Sequence, residues 1–520
     1  MQLKGMLFAA LVVLACGGPV QAHASAAAVA SQTDDALPAT ADARAVLDRA
    51  FAAMGGRKLL AGLHSLKLDL RTVDYRIDDS ERADGPYWLN IGLGTAWMDE
   101  AHARSRTELD AASAQWPLDV IKLTSDDMVA QGVMWQGKRV WYATPLRLID
   151  AAALQPERLL LTASAAAELQ RLPDQTVHGQ RQYVLAFTYK GHAVRLYVDS
   201  VLDLPSRLAV KDAYKGGRLD VMLGDIVWRR DYLFYKRQSD GFVYPHQTNL
   251  FRNGKPYATT VVTGLTENAS PPVGGYAPPA SAKLAPIDAN TIYGSVRIDP
   301  KNMQPLADHA WLVKGAWNVM VVRQPDGLVV IEAPQSSAHS AQVLDLLGKR
   351  FPDVPVKALV STTDSTWHIA GVRTYVARGI PVYVLDANKT RLAREIGASH
   401  SQLPDALSRH PRPADLRVVS DKTTIGTGPT QLDIYPIRGH GDERMMMVYM
   451  PGEHLLYGSS NDVNLKQKPK PRATFNAFEL VRRVRMLELP VQHYVAIHTA
   501  KMPWDEFRHI VLTQPAISSE

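Results

Sequence analysis

Cysteine is almost absent from this 520-residue chain, in which Cys16 is the single example. One thiol excludes a disulfide framework, a cysteine zinc cluster and an iron–sulfur centre. A strong charge bias is also missing, because 58 basic and 52 acidic residues leave a net charge of only +6. Nucleic-acid binding usually requires a clustered basic stripe, and the sequence has none, so we expect no nucleic-acid partner.

A long apolar run is found only at the amino terminus. Residues 1–4 give a short positive start, and the apolar run 6–15 has the length of a signal-peptide core, too short to span a bilayer. Cleavage after Ala22 would release a soluble chain. Alternatively, residues 13–16 resemble a bacterial lipobox that would attach lipid to Cys16. We therefore predict an exported protein, periplasmic or secreted, with cleavage after Ala22 favoured and a membrane tether through Cys16 as the alternative.

The rest of the composition is ordinary, at 46% hydrophobic and 21% charged residues, and the length suggests two or three domains. We predict a signal peptide over residues 1–22 and a flexible leader over residues 23–40. In 41–267 one helix and many alternating segments predict an antiparallel sheet domain. Five prolines mark 268–290 as a linker. In 291–520 short apolar strands alternate with helices, which indicates a layered α/β domain. The fold class is α+β.

Three histidines of the second domain each follow a predicted strand. They are His368, His440 and His498. Loops at strand ends are where sites are built in sheets covered by helices. Three imidazoles and a water molecule would also suffice for a catalytic zinc ion. The chain has 16 histidines, however, so position alone does not establish a shared site.

From about residue 291 onwards the sequence resembles the metallo-β-lactamase superfamily. The marks are an apolar strand pair joined by Pro-Asp-Gly at 325–327, the segment Trp-His-Ile-Ala-Gly-Val-Arg at 367–373, Arg-Gly-His at 438–440 and the Pro-Gly turn at 451–452. The resemblance implies an αββα sandwich. It also implies metal-assisted hydrolysis of an ester, lactone or amide as the ancestral reaction.

The family's metal motif is depleted in this chain. The places of its His-x-His-x-Asp-His motif hold Thr363, Ser365, Trp367 and His368. The place of its bridging aspartate falls on Ser460, or on Ser459 if the hairpin shifts by one residue. Of seven ligand places, the resemblance leaves only the three histidines named above. A two-metal site needs both ligand sets filled, so we do not expect one.

Three interpretations of this remnant remain open. One is a hydrolase with a single zinc or iron ion, in which Asp364 or Asp442 supplies a carboxylate as ligand or general base. Another is a pseudoenzyme without cofactor, in which the histidines remain as hydrogen-bonding groups, and Trp367 in place of a ligand aspartate favours it. The third is metal-free hydrolysis with Ser365 as the nucleophile and His368 or His440 as the base. We expect Ser365, Trp367 and Ser460 to contact the bound substrate.

The first domain faintly resembles the periplasmic lipoprotein-carrier fold. The resemblance is carried by Met-Gly-Gly at 54–56, Leu-Pro-Ser-Arg-Leu at 204–208 and Tyr-Pro at 244–245. It implies a curved half-barrel sheet around a helix, with an apolar cavity for a lipid-like ligand. The alternating aromatic and apolar row at 183–189 either lines that cavity or forms core.

Overall fold

The structure is a computed structural model. It describes residues 42–77, 85–113, 118–125, 127–135, 138–213, 223–282, 298–315, 317–439, 441–465, 471–474 and 476–513. The predicted signal segment with Cys16, the end of the predicted linker and His440 lie outside the described residues.

Thirteen strands of the first half form a single sheet. In chain order they are β1 (Ser65–Tyr75), β2 (Leu89–Asp99), β3 (Arg104–Ser113), β4 (Leu118–Thr124), β5 (Met128–Trp135), β6 (Lys138–Pro145), β7 (Leu169–Val177), β8 (Gln180–Tyr189), β9 (His192–Asp199), β10 (Pro205–Ala213), β11 (Asp225–Arg237), β12 (Val243–Arg252) and β13 (Lys255–Glu267). Neighbouring strands pair antiparallel, in the order β6-β5-β4-β3-β2-β1-β13-β12-β11-β10-β9-β8-β7. The expected large antiparallel sheet is confirmed.

Three helices pack on this sheet: α1 (Ala43–Ala53), α2 (Arg57–Gly62) and α3 (Pro156–Ala165). The first begins at Asp42, whose Oδ1 accepts a hydrogen bond from the Ala45 backbone N–H at 2.8 Å. The predicted aromatic row on β8 lies in the same core as α1 and α3, with Tyr183 and Leu185 fully buried. These side chains therefore pack against helices rather than line an open cavity.

Two glutamates are buried side by side within this packing. Glu157, in the first turn of α3, is 1% exposed, and the side chain of Glu100 is 2% exposed. Burial raises the pKa of both carboxyl groups, and the charge of Glu157 raises the pKa of Glu100 further. Arg158 approaches the pair as a counter-charge, with its Nε 3.6 Å from Glu100 Oε2.

This pair predicts a pH-dependent stability. A carboxyl group whose pKa is raised by folding stabilises the fold fully below its unfolded pKa and loses that contribution as the pH rises. We expect Glu157→Gln to raise the free energy of unfolding by about 2 kcal/mol at pH 8 and to change it little near pH 4. Urea denaturation at both pH values measures this. Glu168→Gln, an exposed position just beyond α3, is the control. An equal effect of Glu157→Gln at both pH values would contradict the account.

The second half contains two sheets of mixed direction and a small two-stranded ribbon. Their strands are β14 (Met303–Ala307), β15 (Ala310–Val313), β16 (Val319–Gln324), β17 (Gly327–Ile331), β18 (Val356–Ser361), β19 (Val382–Leu385), β20 (Leu416–Val419), β21 (Thr423–Ile425), β22 (Leu432–Pro436), β23 (Met446–Met450), β24 (Leu455–Tyr457), β25 (Val463–Asn464), β26 (Arg472–Ala473), β27 (His493–Val495) and β28 (Met502–Pro503). The first sheet runs from β14 to β20 in chain order. The second has the order β21-β22-β23-β24-β27-β28, and β25 pairs with β26.

Helices cover the outer faces of the two main sheets. They are α4 (Ser337–Arg350), α5 (Thr366–Ile369), α6 (Val372–Ala377), α7 (Asp386–Ile396), α8 (Ala406–Arg409), α9 (Ala477–Met486) and α10 (Trp504–Thr513). Residues from the inner faces of both sheets share one core, represented by Val322 and Val448. The helices α4, α6 and α7 pack on the outer face of the first sheet, and α9 and α10 on that of the second. The result is a four-layer sandwich of helix, sheet, sheet and helix.

One carboxylate joins the thirteen-stranded sheet of the first half to the loop after α7. Asp225, at the start of β11, accepts hydrogen bonds from the Ser399 and Ser401 hydroxyls, both at 2.6 Å, and from the Gln402 backbone N–H at 3.1 Å. Lys211 Nζ lies 3.1 Å from the same carboxylate. Burial alone would raise the pKa of Asp225, but these donors hold it well below its ordinary value.

We expect Asp225→Ala to lower the free energy of unfolding by about 3 kcal/mol at pH 7, because several donors to one charged acceptor lose it together. The loss should shrink as the pH falls below the ordinary pKa of aspartate, because the carboxyl group of the unfolded chain then takes up a proton while the folded one still keeps its charge. Urea denaturation at pH 7 and pH 3 measures the difference. Asp110→Ala, on an exposed position of β3, is the control. Equal stability of the two variants would show that this contact contributes nothing.

Within the described residues, no helix combines the length and the apolar character needed to cross a membrane.

Candidate functional site

The candidate site lies at the carboxyl ends of two parallel strand pairs, one in each sheet of the sandwich. Strand β17 pairs parallel with β18, and β24 pairs parallel with β27. Glu332 follows β17 directly, Thr362 follows β18, and Ser459 lies two residues beyond β24. Loops at the carboxyl ends of parallel strands are where sites form in such sheets.

A fully buried hydrogen-bond network connects these loops. Glu332 Oε2 accepts a hydrogen bond from His368 Nδ1 at 3.0 Å. Glu332 Oε1 accepts from the Thr362 hydroxyl and, at 3.3 Å, from the Thr362 backbone N–H. The Thr362 hydroxyl also lies 2.7 Å from Ser459 Oγ, which links the two sheets. Glu332, Thr362 and Ser459 are 0% exposed and His368 is 3% exposed.

The backbone is strained at two of these residues. Glu332 has φ 78° and Ser459 has φ 57°, in the left-handed region that non-glycine residues rarely adopt. Such strain persists where the surrounding structure over-determines it, and it concentrates at functional sites. Here it directs Glu332 into the network.

His368 is held in one orientation by this network. A carboxylate only accepts hydrogen bonds, so the 3.0 Å contact with Glu332 requires the proton of the neutral imidazole to reside on Nδ1. Nε2 is therefore the nitrogen through which His368 can accept a proton or bind a ligand.

His498 belongs to the same part of the structure. Its backbone N–H donates to Asp462 Oδ1 at 2.8 Å, and the Thr499 hydroxyl donates to the same oxygen at 3.0 Å. Burial raises the pKa of Asp462, while the nearby His498 and His368 oppose the increase. Asp462 Oδ2 is buried and has no hydrogen-bond partner among the described residues. Asp462 thus lies near enough to His498 and His368 for both to act on its pKa.

Aromatic rings form one wall beside these groups. Trp317 and Trp367 stack with ring centroids 5.6 Å apart and 13° between planes, and the His498 ring lies 5.3 Å from Trp317. We call Trp317, Trp367 and His498 the aromatic platform. Both tryptophans are partly exposed and His498 is exposed. The Asn318 side chain donates to the Ala496 carbonyl at 2.9 Å, which ties the loop of Trp317 to that of His498.

Asp364 lies in an ion-pair cluster. Arg444 donates to its carboxylate through both Nε, at 3.0 Å, and Nη2. Arg391 Nη1 lies 3.6 Å from Asp364 Oδ2. This pairing gives Asp364 a structural role, and its predicted role as ligand or general base remains a prediction.

Asp442 is fully buried in the loop before β23. Asn476 donates to its Oδ1, and the backbone N–H groups of Gly441 and Asp442 donate to Glu479 Oε2 at 2.7 and 2.8 Å. Residues at the start of α9 therefore fix the segment that follows His440.

The remaining predicted residues are the serines. Ser365 caps α5 and is partly exposed next to Trp367. Ser460 is partly exposed, and its carbonyl lies 3.5 Å from the Thr474 hydroxyl. It is the neighbouring Ser459 that enters the buried network.

The described residues do not complete a zinc site. Catalytic zinc takes three protein ligands, usually imidazole or carboxylate. Among the residues that the structure describes, no three His, Cys, Asp or Glu side chains form a group able to hold a metal ion. We therefore assign no step to a metal ion.

Among the comparisons with known proteins, the one with solved structures found similar chains. No family model matches the chain, and no curated protein does. Solved structures similar to it include the metallo-β-lactamase FIM-1 from Pseudomonas aeruginosa in its mono-zinc form, at 16% identity over 40% of this chain and 92% of that one, with a TM-score of 0.31. Metallo-β-lactamases from Pontibacter korlensis (17% identity, 41% and 99%, TM-score 0.29) and Hirschia baltica (15%, 40% and 95%, TM-score 0.30) are similar too.

Sequence reasoning missed two members of the site. Glu332 could have been found as a carboxylate that directly follows the wholly apolar strand β17, where an unpartnered charge would be costly. Trp317 gave no signal, because its stacking on Trp367 depends on two loops 50 residues apart meeting in space.

The network predicts a large effect of removing its acceptor. Glu332→Ala leaves His368 and Thr362 without their buried partner, so we expect the free energy of unfolding to fall by about 3–5 kcal/mol. Glu332→Gln keeps an acceptor oxygen and should lower the free energy of unfolding by less. Urea denaturation measures both, with the exposed Glu506→Ala as the control. A loss below about 1 kcal/mol for Glu332→Ala would show that the network does not stabilise the fold.

Proposed function

We propose that the four-layer sandwich hydrolyses a small ester, lactone or amide, with His368 as the general base. The observation that supports this most is the buried hydrogen bond from His368 Nδ1 to Glu332. A carboxylate behind an imidazole fixes its tautomer and stabilises the imidazolium that forms when Nε2 accepts a proton. General bases of this kind contribute about 10²–10⁴-fold to a rate.

The proposed reaction uses one water molecule. Water transfers a proton to His368 Nε2 as its oxygen bonds to the substrate carbonyl carbon. The ester C–O or amide C–N bond then breaks, and the imidazolium returns the proton to the leaving group. Glu332 takes up no proton in these steps, and its two oxygens accept hydrogen bonds from His368 and Thr362.

Asp462 supplies a hydrogen-bonding position for the substrate or the water. Its Oδ2 is buried without a partner among the described residues, and buried polar atoms normally have one. The substrate is a small molecule met outside the cytoplasm, because the amino terminus is predicted to be an export signal.

A non-catalytic binding protein is the second candidate. It is favoured by the stacked pair of Trp317 and Trp367, which places bulk and aromatic surface where the resembled family has a ligand aspartate. In that case the pocket binds a small apolar ligand, and His368 only donates or accepts hydrogen bonds. The thirteen-stranded sheet resembles the lipoprotein-carrier half-barrel, so a lipid-like ligand of that sheet also belongs to this candidate.

The test is hydrolysis of p-nitrophenyl acetate, a simple lactone and a simple amide by the full-length chain after dialysis against a chelator. We expect turnover of at least one substrate, with His368→Ala and Glu332→Gln each lowering kcat about 100-fold or more. The control is His509→Ala, at an exposed position of helix α10, which should leave kcat unchanged.

Three outcomes contradict the proposal. If none of the three substrates is hydrolysed, the non-catalytic binding protein is the better candidate. Activity that disappears with the chelator and returns with zinc makes the reaction metal-dependent. Activity that survives His368→Ala removes the proposed base.

A further inference from the structure

We propose that a cleft beside the start of β20 binds a small organic carboxylate with an apolar body. The cleft has a volume of about 690 Å³, within the range of about 300–1,000 Å³ that is typical of small-molecule sites. Its walls come from the end of α7, from α8 and from the segment that leads into β20. This is a second site, and it does not rest on the proposed function.

The cleft lies at the opposite edge of its sheet from the candidate site. Strands β17, β18, β19 and β20 are parallel to one another. The lining segment 411–416 precedes β20 and ends at Leu416, the first residue of that strand. Glu332 and Thr362 instead follow the carboxyl ends of β17 and β18. Since neighbouring parallel strands begin at one edge of a sheet and end at the other, this site is separate from that of His368.

Apolar side chains form much of the lining of the cleft. They are Ile396, Leu407, Leu416, Pro404, Pro411 and Pro413. Hydrocarbon surface of this kind gains about 25 cal/mol for each Å² that an apolar ligand covers. The lining therefore favours a ligand whose body is hydrocarbon.

Arg373 forms part of the lining, but its charge is already balanced. Its guanidinium donates to the Asp405 carboxylate through Nε, at 2.5 Å, and through Nη2, at 2.9 Å. Nη2 also donates to the Ser408 hydroxyl at 3.1 Å, and Nη1 donates to the Ile396 carbonyl. Burial alone would raise the pKa of Asp405, but the hydrogen bonds from Arg373 and Ser408 hold it well below its ordinary value. Arg373 is thus paired with an ionised carboxylate and needs no ligand.

The walls of the cleft are held in place without a ligand. Arg373 joins α6 to α8 and to the end of α7 through the contacts just given. The loop 397–401, which also lines the cleft, is held by Asp225, whose carboxylate accepts from Ser399 and Ser401. A preformed cleft reduces the entropy cost of binding.

Arg412 supplies the charge with which a carboxylate would pair. It lines the cleft, is exposed, and takes part in no hydrogen bond or ion pair among the described residues. A Cβ atom at Gly379 would collide with Arg412 Nη1, so the guanidinium lies directly over the backbone of the turn after α6.

The charges of the cleft select a monoanion. Among the described residues, no Asp or Glu lines it. A guanidinium matches a carboxylate in a bidentate hydrogen-bonded pair. A dianionic phosphate would require a second unbalanced cation, whereas Arg412 alone offers one in the described lining.

The test is calorimetry of the full-length chain with octanoate, octan-1-ol and octylammonium, which share one apolar chain. We expect octanoate to bind at least about fivefold more tightly than the other two, because only octanoate pairs with Arg412. Arg412→Gln should weaken octanoate binding about fivefold and leave octan-1-ol binding unchanged. Arg482→Gln, which removes an exposed arginine from α9, is the matched control.

A second variant changes the charge of the cleft without altering the core. Ala393 is an exposed residue of α7 that lines the cleft. Ala393→Glu should weaken octanoate binding about fivefold and strengthen octylammonium binding, because it places a negative charge beside the ligand. Ala393→Gln, of similar size but neutral, should change both affinities little.

Three outcomes overturn the proposal. One is the absence of octanoate binding, and another is equal affinity for the three ligands. The third is octanoate binding that neither Arg412→Gln nor Ala393→Glu changes, because the ligand then binds elsewhere on the chain. Hydrolysis of esters plays no part in these measurements, so the proposed function can fail while this site stands, and the reverse.

Discussion

The hydrogen bond between His368 and Glu332 is the interaction on which the candidate site depends. An ionised carboxylate with no exposure to water is expensive, and here it is stabilised by three donors from two segments. The same interaction commits Nδ1 of His368 and leaves Nε2 to act. It therefore serves the stability of the fold and the chemistry of the site together.

The sandwich makes this interaction possible by bringing loops from both sheets to one edge. Thr362 contacts Glu332 within the first sheet and Ser459 across to the second, so the network also fixes how the sheets meet. The strained backbone at Glu332 and Ser459 is held by this arrangement. The network around His368 thus forms a buried polar site rather than an ordinary apolar core.

Much of the second half could be predicted from sequence, because its buried strands are short apolar runs with sharp ends. The segments Val356–Ser361 and Val382–Leu385 are examples, each bounded by proline, a turn or a helix start. In the first half, β2 reverses the usual alternation, in which apolar side chains point inward and polar ones outward. Its inward positions include Asn90 and Gly92, while Ile91 is 55% exposed, so alternation alone points to the wrong face. For the site, the sequence singled out His368 and His498, whose charges both act on the pKa of Asp462, and their shared role stays a prediction. The role of Glu332 depends on a long-range contact that spacing does not reveal.

The protonation of His368 tests the central claim most directly. Nitrogen-15 NMR of the full-length chain labelled at histidine, assigned by comparison with His368→Ala, reports which ring nitrogen carries the proton. The account predicts that the neutral imidazole exists as a single tautomer, with the proton on Nδ1 and a free electron pair on Nε2. A proton on Nε2, or a rapid mixture of both tautomers, would show that Glu332 does not hold the imidazole and would contradict the account.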